Sequence, residues 1–356
     1  MKILAISPDT FSTRVAFYEN FDCLWSEVQE YDPSELSAFP DIISQEDYRI
    51  VRIKDLVESK EGRLGAAQVI VSSGGMLHSV DGGTYQISME MLQDLQACKY
   101  GAVPGNIGAS MAVRLATAAG TRYVYVVDPP VVDEMTAVGR MTGLPEISRK
   151  SGFHSLIQRS VVYREAAKLG KPVSDCNFIV CFLGSSEISV GAHLRGGVIE
   201  VNDTRSGSGP MSMTQSGDLP PIQLIDLCFS GKYTQDELKS LVLSGSGLCA
   251  HLGESDFDEI VKKVRTGDRK PLLTFEAFLY QIIKQVGGCV GILEGKVNSI
   301  ILAGNLVLNE YFVKQLTDRV SWIAPVVLYP GEDDMLALIE GVMRVMMGKE
   351  EAKTYA

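Results

Sequence analysis

A chain of 356 residues is longer than one ordinary core, so two domains are expected. Its apolar fraction of 46% and charged fraction of 22% match a water-soluble globular protein. A net charge of −11, with no run of clustered Lys and Arg, excludes nucleic acid as a partner, because phosphate backbones need dense positive charge.

In chain order, the N-terminus MKILAISPDT turns polar too early for a signal peptide. It reads as strand Lys2–Ile6, a polar turn Ser7–Thr13 and strand Arg14–Tyr18, a hairpin at the start of the chain. Gln68–Val71 and Arg122–Val127 are further strands, and Pro104–Ala119 between them is a small-residue helix stopped by Gly120. A second set opens with helix Ser155–Leu169, ended by Gly170, then strands Asn177–Leu183, Glu187–Ala192 and Gly197–Val201. Thr234 and Glu237 form a capping box for a helix to about Leu243. Leu272–Val286 is a long apolar helix; Ser299–Leu302 and Trp322–Tyr329 are strands. The last helix, Asp333–Met347, has acidic residues in its first turn and apolar groups over most of its surface, which predicts burial. No apolar stretch approaches the roughly 20 residues of a membrane span. Seven scattered cysteines without a CxxC and four isolated histidines give neither a disulfide framework nor a zinc spacing, so reduced thiols in a cytoplasmic protein are expected and no metal ligand set is assigned.

Several short segments carry possible chemistry. Ser7-Pro8-Asp9-Thr10-Phe11-Ser12-Thr13-Arg14 reads equally as a plain β-turn or as a loop whose N–H groups face an anion. Ser72-Ser73-Gly74-Gly75 and Gly101-Ala102-Val103-Pro104-Gly105-Asn106 read as structural turns. Asp128 ends a strand, where α/β folds place working residues. A lone histidine such as His154 is as often structural as functional.

The segment from Val190 to Gly253, VGAHLRGGVIEVNDTRSGSGP…QSGDLP…LCFSGKYT…GLCAHLG, resembles the butyrate kinases, carboxylate phosphotransferases of the acetate and sugar kinase, Hsp70 and actin superfamily. The likeness extends from Met1 to about Gly348. It implies an α/β fold of two actin-like ATPase domains with a ribonuclease H-like core and a cleft for nucleotide and acyl substrate. Residues 1–150 with 331–356 would form the acyl-substrate domain, and 151–330 the nucleotide domain, which also forms the dimer interface. The implied reaction converts ATP and butanoate to ADP and butanoyl phosphate, with Mg²⁺. Retained catalytic positions are Asp128 and His154; retained phosphate or nucleotide positions are Ser12, Thr13, Arg14, Gly184, Asn202, Gly304, Asn305 and Gly331. The stretch Tyr329-Pro330-Gly331-Glu332-Asp333 matches as well.

The departures fall on the charged machinery. Where the family has Asn and Gly in the first turn this chain has Ser7 and Asp9; where it has Arg, Ser73 and Gln215; where it has His, Val103 and Phe182. Around Phe182 the family's glycine-rich hairpin becomes Gly184-Ser185-Ser186-Glu187, which reads as a surface β-hairpin. Removing one donor that stabilises transferring charge typically costs about 10² to 10³ in rate. The expectation is therefore a catalytically impaired homologue with a binding or regulatory role, as a homodimer or beside an active paralogue. The alternative is an active short-chain carboxylate kinase in which Arg14, His154, Asp128 and Lys150 rebuild the phosphate site.

Overall fold

The computed structural model describes residues 1–60, 63–331 and 333–356; Glu332 of the matching stretch above lies outside them. The chain divides into two compact units, Met1–Val132 with Asp333–Ala356, and Asp133–Glu332.

The first unit opens with β1 (Lys2–Pro8), β2 (Ser12–Glu19) and β3 (Asp22–Glu30), and continues with β4 (Val69–Ser72), β5 (Thr84–Gln86) and β6 (Val124–Val127). With the terminal strand Lys353–Thr354 they form a seven-stranded sheet in the order terminal strand, β5, β6, β4, β1, β2, β3. The central β1, β4 and β6 run parallel and are buried throughout most of their length, as strands covered on both faces must be. Pro8 pairs with Thr13 and Ser7 with Arg14, so the first turn is only residues 9–11, and Ser7, Ser12 and Thr13 are strand residues. Strand β3 carries Trp25 on an edge of the sheet, and its sequence DCLWSEVQE mixes apolar, polar and charged residues without regular alternation, which hides it from a periodicity reading. The segment Pro104–Ala119 splits into a 3₁₀ turn, Pro104–Ile107, and helix Gly108–Ala119, capped by Gly120 at φ +74°. The closing helix Asp334–Met346, with Asp333 accepting from the Leu336 amide, buries Met335, Leu338, Ile339 and Val342 as its composition predicts.

The second unit holds β7 (Asn177–Leu183), β8 (Ile188–Leu194), β9 (Gly197–Val201), β10 (Ser299–Gly304) and β11 (Val326–Pro330), in the order β11, β10, β7, β8, β9. β7, β10 and β11 are parallel, and β7–β8–β9 is an antiparallel meander. Helix Arg269–Ile292 packs Phe275, Phe278, Leu279, Ile282 and Val286 into the core of this unit. Helices Phe257–Arg265 and Glu310–Val320 close the same cluster through Ile260, Val264, Phe312 and Leu316. The strand expected from Trp322 starts only at Val326: Trp322 follows helix Glu310–Val320, exposed, its indole donating to the Arg319 carbonyl at 3.0 Å.

The two compact units part at Val132/Asp133, whereas the resemblance implies a boundary near residue 150. Electrostatics binds the intervening stretch to the second unit. Arg140 pairs with Asp133, Arg149 donates to Glu200 at 2.8 Å, and Glu134 accepts both the Val198 amide at 2.8 Å and the Arg159 guanidinium at 3.2 Å. Glu200 is buried and Glu134 nearly so, so these carboxylates must stay paired. Such long-range pairings leave no periodicity in the chain.

Candidate functional site

In each unit the residues singled out in the sequence collect at the carboxyl ends of parallel strands, where open α/β sheets place their working groups. In the first unit these ends are Ser7-Pro8 on β1, Ser72-Ser73 after β4 and Asp128 after β6, on three adjacent strands. Close backbone packing supports them. A Cβ on Gly105 would lie 2.3 Å from the Gly74 carbonyl oxygen, and one on Gly75 would lie 2.6 Å from the Asn106 backbone. Asn106 is buried; its amide donates to the Gly101 carbonyl at 2.8 Å and its oxygen accepts the Met76 amide at 2.9 Å. Val103 is half-buried and caps this 3₁₀ turn through its carbonyl, which accepts from the Asn106 amide at 3.0 Å. It contributes shape and no donor.

Asp128 is buried, at 2% exposure, and sits at φ +39°, an unusual backbone for a residue other than glycine. Its amide donates to the Gly83 carbonyl at 2.9 Å, and its Oδ1 accepts from the Gly83 amide at 2.7 Å. Its Oδ2 lies 4.0 Å from Arg344 on the closing helix. The strain is held by this reciprocal pair with Gly83 and by the facing guanidinium.

The β1–β2 turn is built around a residue that the motif reading passed over. Arg49, fully buried on helix Glu46–Glu58, donates to the carbonyls of Asp9 at 2.6 Å, Thr10 at 2.8 Å and Ser12 at 3.0 Å. Its guanidinium also lies 4.6 Å from the centre of the Tyr31 ring. Thr13, expected to face phosphate, is interior instead: it is fully buried and its hydroxyl accepts from Tyr31 at 2.9 Å. Asp9 is exposed, and its Oδ1 accepts the Thr10 amide at 2.7 Å. Ser12 is half-buried; Arg14 is exposed, opposite Ser7 in the ladder. A sequence signal for Arg49 existed: it lies one helical turn before Ile53, on the stripe formed with Ile50 and Val57.

In the second unit the strand ends are Gly184 after β7, Gly304 closing β10 with Asn305 after it, and Gly331 after β11. Gly304, at φ +104°, would place a Cβ 2.6 Å from the Leu183 carbonyl, and it exchanges backbone hydrogen bonds with Gly331 at 3.0 and 3.2 Å. Glycine is required there by both dihedral and space. Asn305 is exposed at the start of a 3₁₀ turn. Asn202, expected to contact nucleotide, is buried, with its amide spent on backbone: it accepts from the Val190 amide at 2.8 Å and donates to the Ile188 and Ser208 carbonyls at 3.0 and 2.9 Å.

The hairpin expected at the surface exposes only its tip, Ser185-Ser186. Phe182 is buried and stacks face to face on the His154 ring, with centroids 4.2 Å apart and planes 5° from parallel. His154 Nδ1 meets Glu187 Oε1 at 2.8 Å, and the Thr204 hydroxyl donates to Glu187 Oε2 at 2.6 Å. Gln215 Nε2 donates to the Thr204 carbonyl at 3.2 Å. Burial opposes ionisation of Glu187, yet the His154 hydrogen bond and charge, the Thr204 hydroxyl and the Arg205 charge outweigh it and hold its carboxyl below the usual range. Phe182, His154, Glu187, Thr204 and Gln215 thus form one connected network.

Beyond these residues, among those described, no group of three or more His, Cys, Asp or Glu is arranged to hold a metal ion, and no helix is long and apolar enough to cross a membrane.

The two-sheet α/β fold is that of solved acetate and propionate kinases. It superposes on an acetate kinase from Porphyromonas gingivalis with a TM-score of 0.78 at 17% identity, covering 97% of this chain and 99% of that one. A propionate kinase from Francisella tularensis gives 0.72 at 16% identity, over 96% and 98%. The model described as the Acetokinase family matches residues 143–321. Butyrate kinase 2 of Clostridium acetobutylicum is 39% identical over 354 residues, and a probable butyrate kinase of Listeria monocytogenes 37% over 353, each covering 99% of both chains. The chain belongs to the butyrate kinase family.

Proposed function

We propose that this chain is a butyrate kinase homologue whose phosphoryl transfer is impaired and which works by binding or regulation. The family reaction passes a phosphoryl group from ATP, with Mg²⁺, to a carboxylate; such chemistry depends on preorganised positive charge and donors around the moving group. One observation carries the reading. His154, a retained catalytic position, is tied through Nδ1 to an ionised Glu187 in the hairpin where the family resemblance places glycines. A carboxylate there opposes an incoming phosphate, by at most about 4 kcal/mol per charge pair at 4 Å and surface-like screening, less what the neighbouring His154 and Arg205 charges offset. Asp9 adds the same sign at the first turn, where its Oδ1 takes the Thr10 amide. Ser73 and Val103 add no charge to offset Asp9 within the first unit, and Gln215 adds none within the second. Neither unit's residues, taken by themselves, offer the donor set that a triphosphate tail and its magnesium require.

The test is direct. Purified protein with ATP, Mg²⁺ and butanoate, assayed for acyl phosphate, should turn over at least 10³ more slowly than an ordinary enzyme at about 10 s⁻¹. Turnover at that ordinary rate would refute the reading. The chain would act in the cytoplasm as a homodimer or beside an active paralogue, which light scattering of the protein alone and with that paralogue would distinguish.

A second reading, an active short-chain carboxylate kinase with a rearranged site, is favoured by Arg14, which stands exposed beside Ser7. It requires saturable Mg²⁺–ATP binding, and a flat calorimetric trace at millimolar nucleotide would remove it.

A further inference from the structure

Helix Pro221–Cys228 of the second unit is unusual for its composition. Ile222, Leu224, Ile225 and Leu227 make it apolar on most sides, yet none of its residues is buried. A helix of that kind is normally packed inside a core. The helix that follows, Gln235–Ser244, buries only Leu238. Between the two lies a cavity of about 670 Å³, within the range of roughly 300–1,000 Å³ that small-molecule sites occupy. Leu224 and Phe229 wall it on one side, Leu238 and Val242 on the other, and Arg205-Ser206 line it from a separate 3₁₀ turn. That turn packs against the end of the second helix: a Cβ on Gly207, at φ +78°, would lie 2.8 Å from Val242 Cγ1.

The charges in the cavity are of one sign. Arg205 and Lys239 line it and no Asp or Glu among the described residues does, in a chain whose net charge is −11. Arg205 donates to the Ser151 carbonyl at 3.2 Å. Lys239 is exposed and, among the described residues, takes part in no ion pair. The nearby Glu237 is occupied at the helix start, where it accepts from the Thr234 amide at 2.8 Å and hydroxyl at 2.9 Å. Lys239 stands one turn before Val242 and Leu243, which puts a cation beside the apolar wall. From Gln235 to Leu243 that wall runs about 12 Å at ~1.5 Å per residue, room for an extended chain of about ten carbons. Apolar walls with cations and no anion match a ligand with an apolar body and one negative group.

We propose that this cavity is a binding site for a small amphiphilic carboxylate, an unbranched acyl chain of medium length held between the two helices with its carboxylate at Lys239 and Arg205. The site goes beyond the proposed function and does not depend on it, since no phosphoryl transfer is involved.

Cys228 lines the cavity and is exposed, so it reports occupancy. The full chain is alkylated with iodoacetamide with and without decanoate, kept below its micelle range, and the rate at each cysteine is read by peptide mass spectrometry. Exposed Cys23, in the first unit, is the control. Saturating decanoate should slow Cys228 by about 5-fold or more and leave Cys23 unchanged. Lys239→Gln, at an exposed position, should raise the half-protecting concentration about 3- to 5-fold, and decanol, which lacks the charge, should protect more weakly by at least as much. Val242→Trp, which fills the cavity, should abolish protection; if it fails to fold, the Lys239→Gln and decanol comparisons decide. No protection of Cys228, equal protection of Cys23, or an unchanged response in Lys239→Gln would overturn the inference. So would a Cys228 rate that falls with protein concentration and ignores decanoate, the result expected if a second copy of the chain covers the cavity. Ordinary butyrate kinase turnover would refute the proposed function and leave this result standing.

Discussion

Replacing Asp128 separates a structural from a chemical role for the strongest retained motif residue. In Asp128→Ala the Gly83 amide loses a charge-assisted acceptor at 2.7 Å inside the first unit. Such bonds contribute about 1.5–3 kcal/mol, and an orphaned buried donor keeps the whole desolvation cost. Arg344, with its side chain at 12% exposure, loses the carboxylate 4.0 Å away and keeps Glu350 at 3.1 Å. Alanine must also adopt φ near +39°, costing about 1 kcal/mol more. The sum is about 3–5 kcal/mol. Asparagine keeps the Oδ1 acceptor and tolerates the left-handed region, so Asp128→Asn should cost about 1 kcal/mol, chiefly from the lost charge opposite Arg344. Urea unfolding followed by circular dichroism measures both. Ala and Asn variants within 1 kcal/mol of each other would refute the account of Asp128 as a strained, reciprocally bonded pin. A normal Asn variant with any residual kinase activity abolished would instead assign the carboxylate to chemistry.

Other consequences can be measured alongside. The folded-state pKa of Glu187 is depressed, so its contribution is present above the unfolded carboxylate value of about 4.3 and is lost as pH falls through the lower folded value. Glu187→Gln should therefore cost about 1–3 kcal/mol at pH 7 and progressively less in acid, and a pH-independent difference would contradict this. Gly105→Ala drives a Cβ to 2.3 Å from the Gly74 carbonyl oxygen and should destabilise by about 1–3 kcal/mol, whereas Gly143→Ala, with nothing within 4 Å, should stay within about 0.5 kcal/mol. Equal melting temperatures for these two variants would count against the backbone packing described for the first unit. Cys289, whose thiol burial pushes up to about 12, should resist alkylation in the native protein while exposed Cys23 and Cys228 react.

The chain by itself determined the fold class, the alternation of strands and helices, and several ends: β7 and β9 run where the pattern predicts, and the Thr234–Glu237 capping box forms. These rest on local rules, in which side-chain period, glycine freedom and first-turn polarity act within a few residues. The resemblance located the strand-end positions for the same reason, since turns and glycines are local. Partnership was decided only by the tertiary structure. Arg49 reaches carbonyls 37 to 40 positions away, Glu187 meets His154 across 33, and Arg344 faces Asp128 from the far end of the chain. Thr13 and Asn202 looked like ligand contacts because of their type and place in a motif, yet burial turned both into internal pins. Charge compensation inside a low-dielectric interior is a property of distance in space, and no spacing along the chain encodes which carboxylate or carbonyl will meet a buried guanidinium.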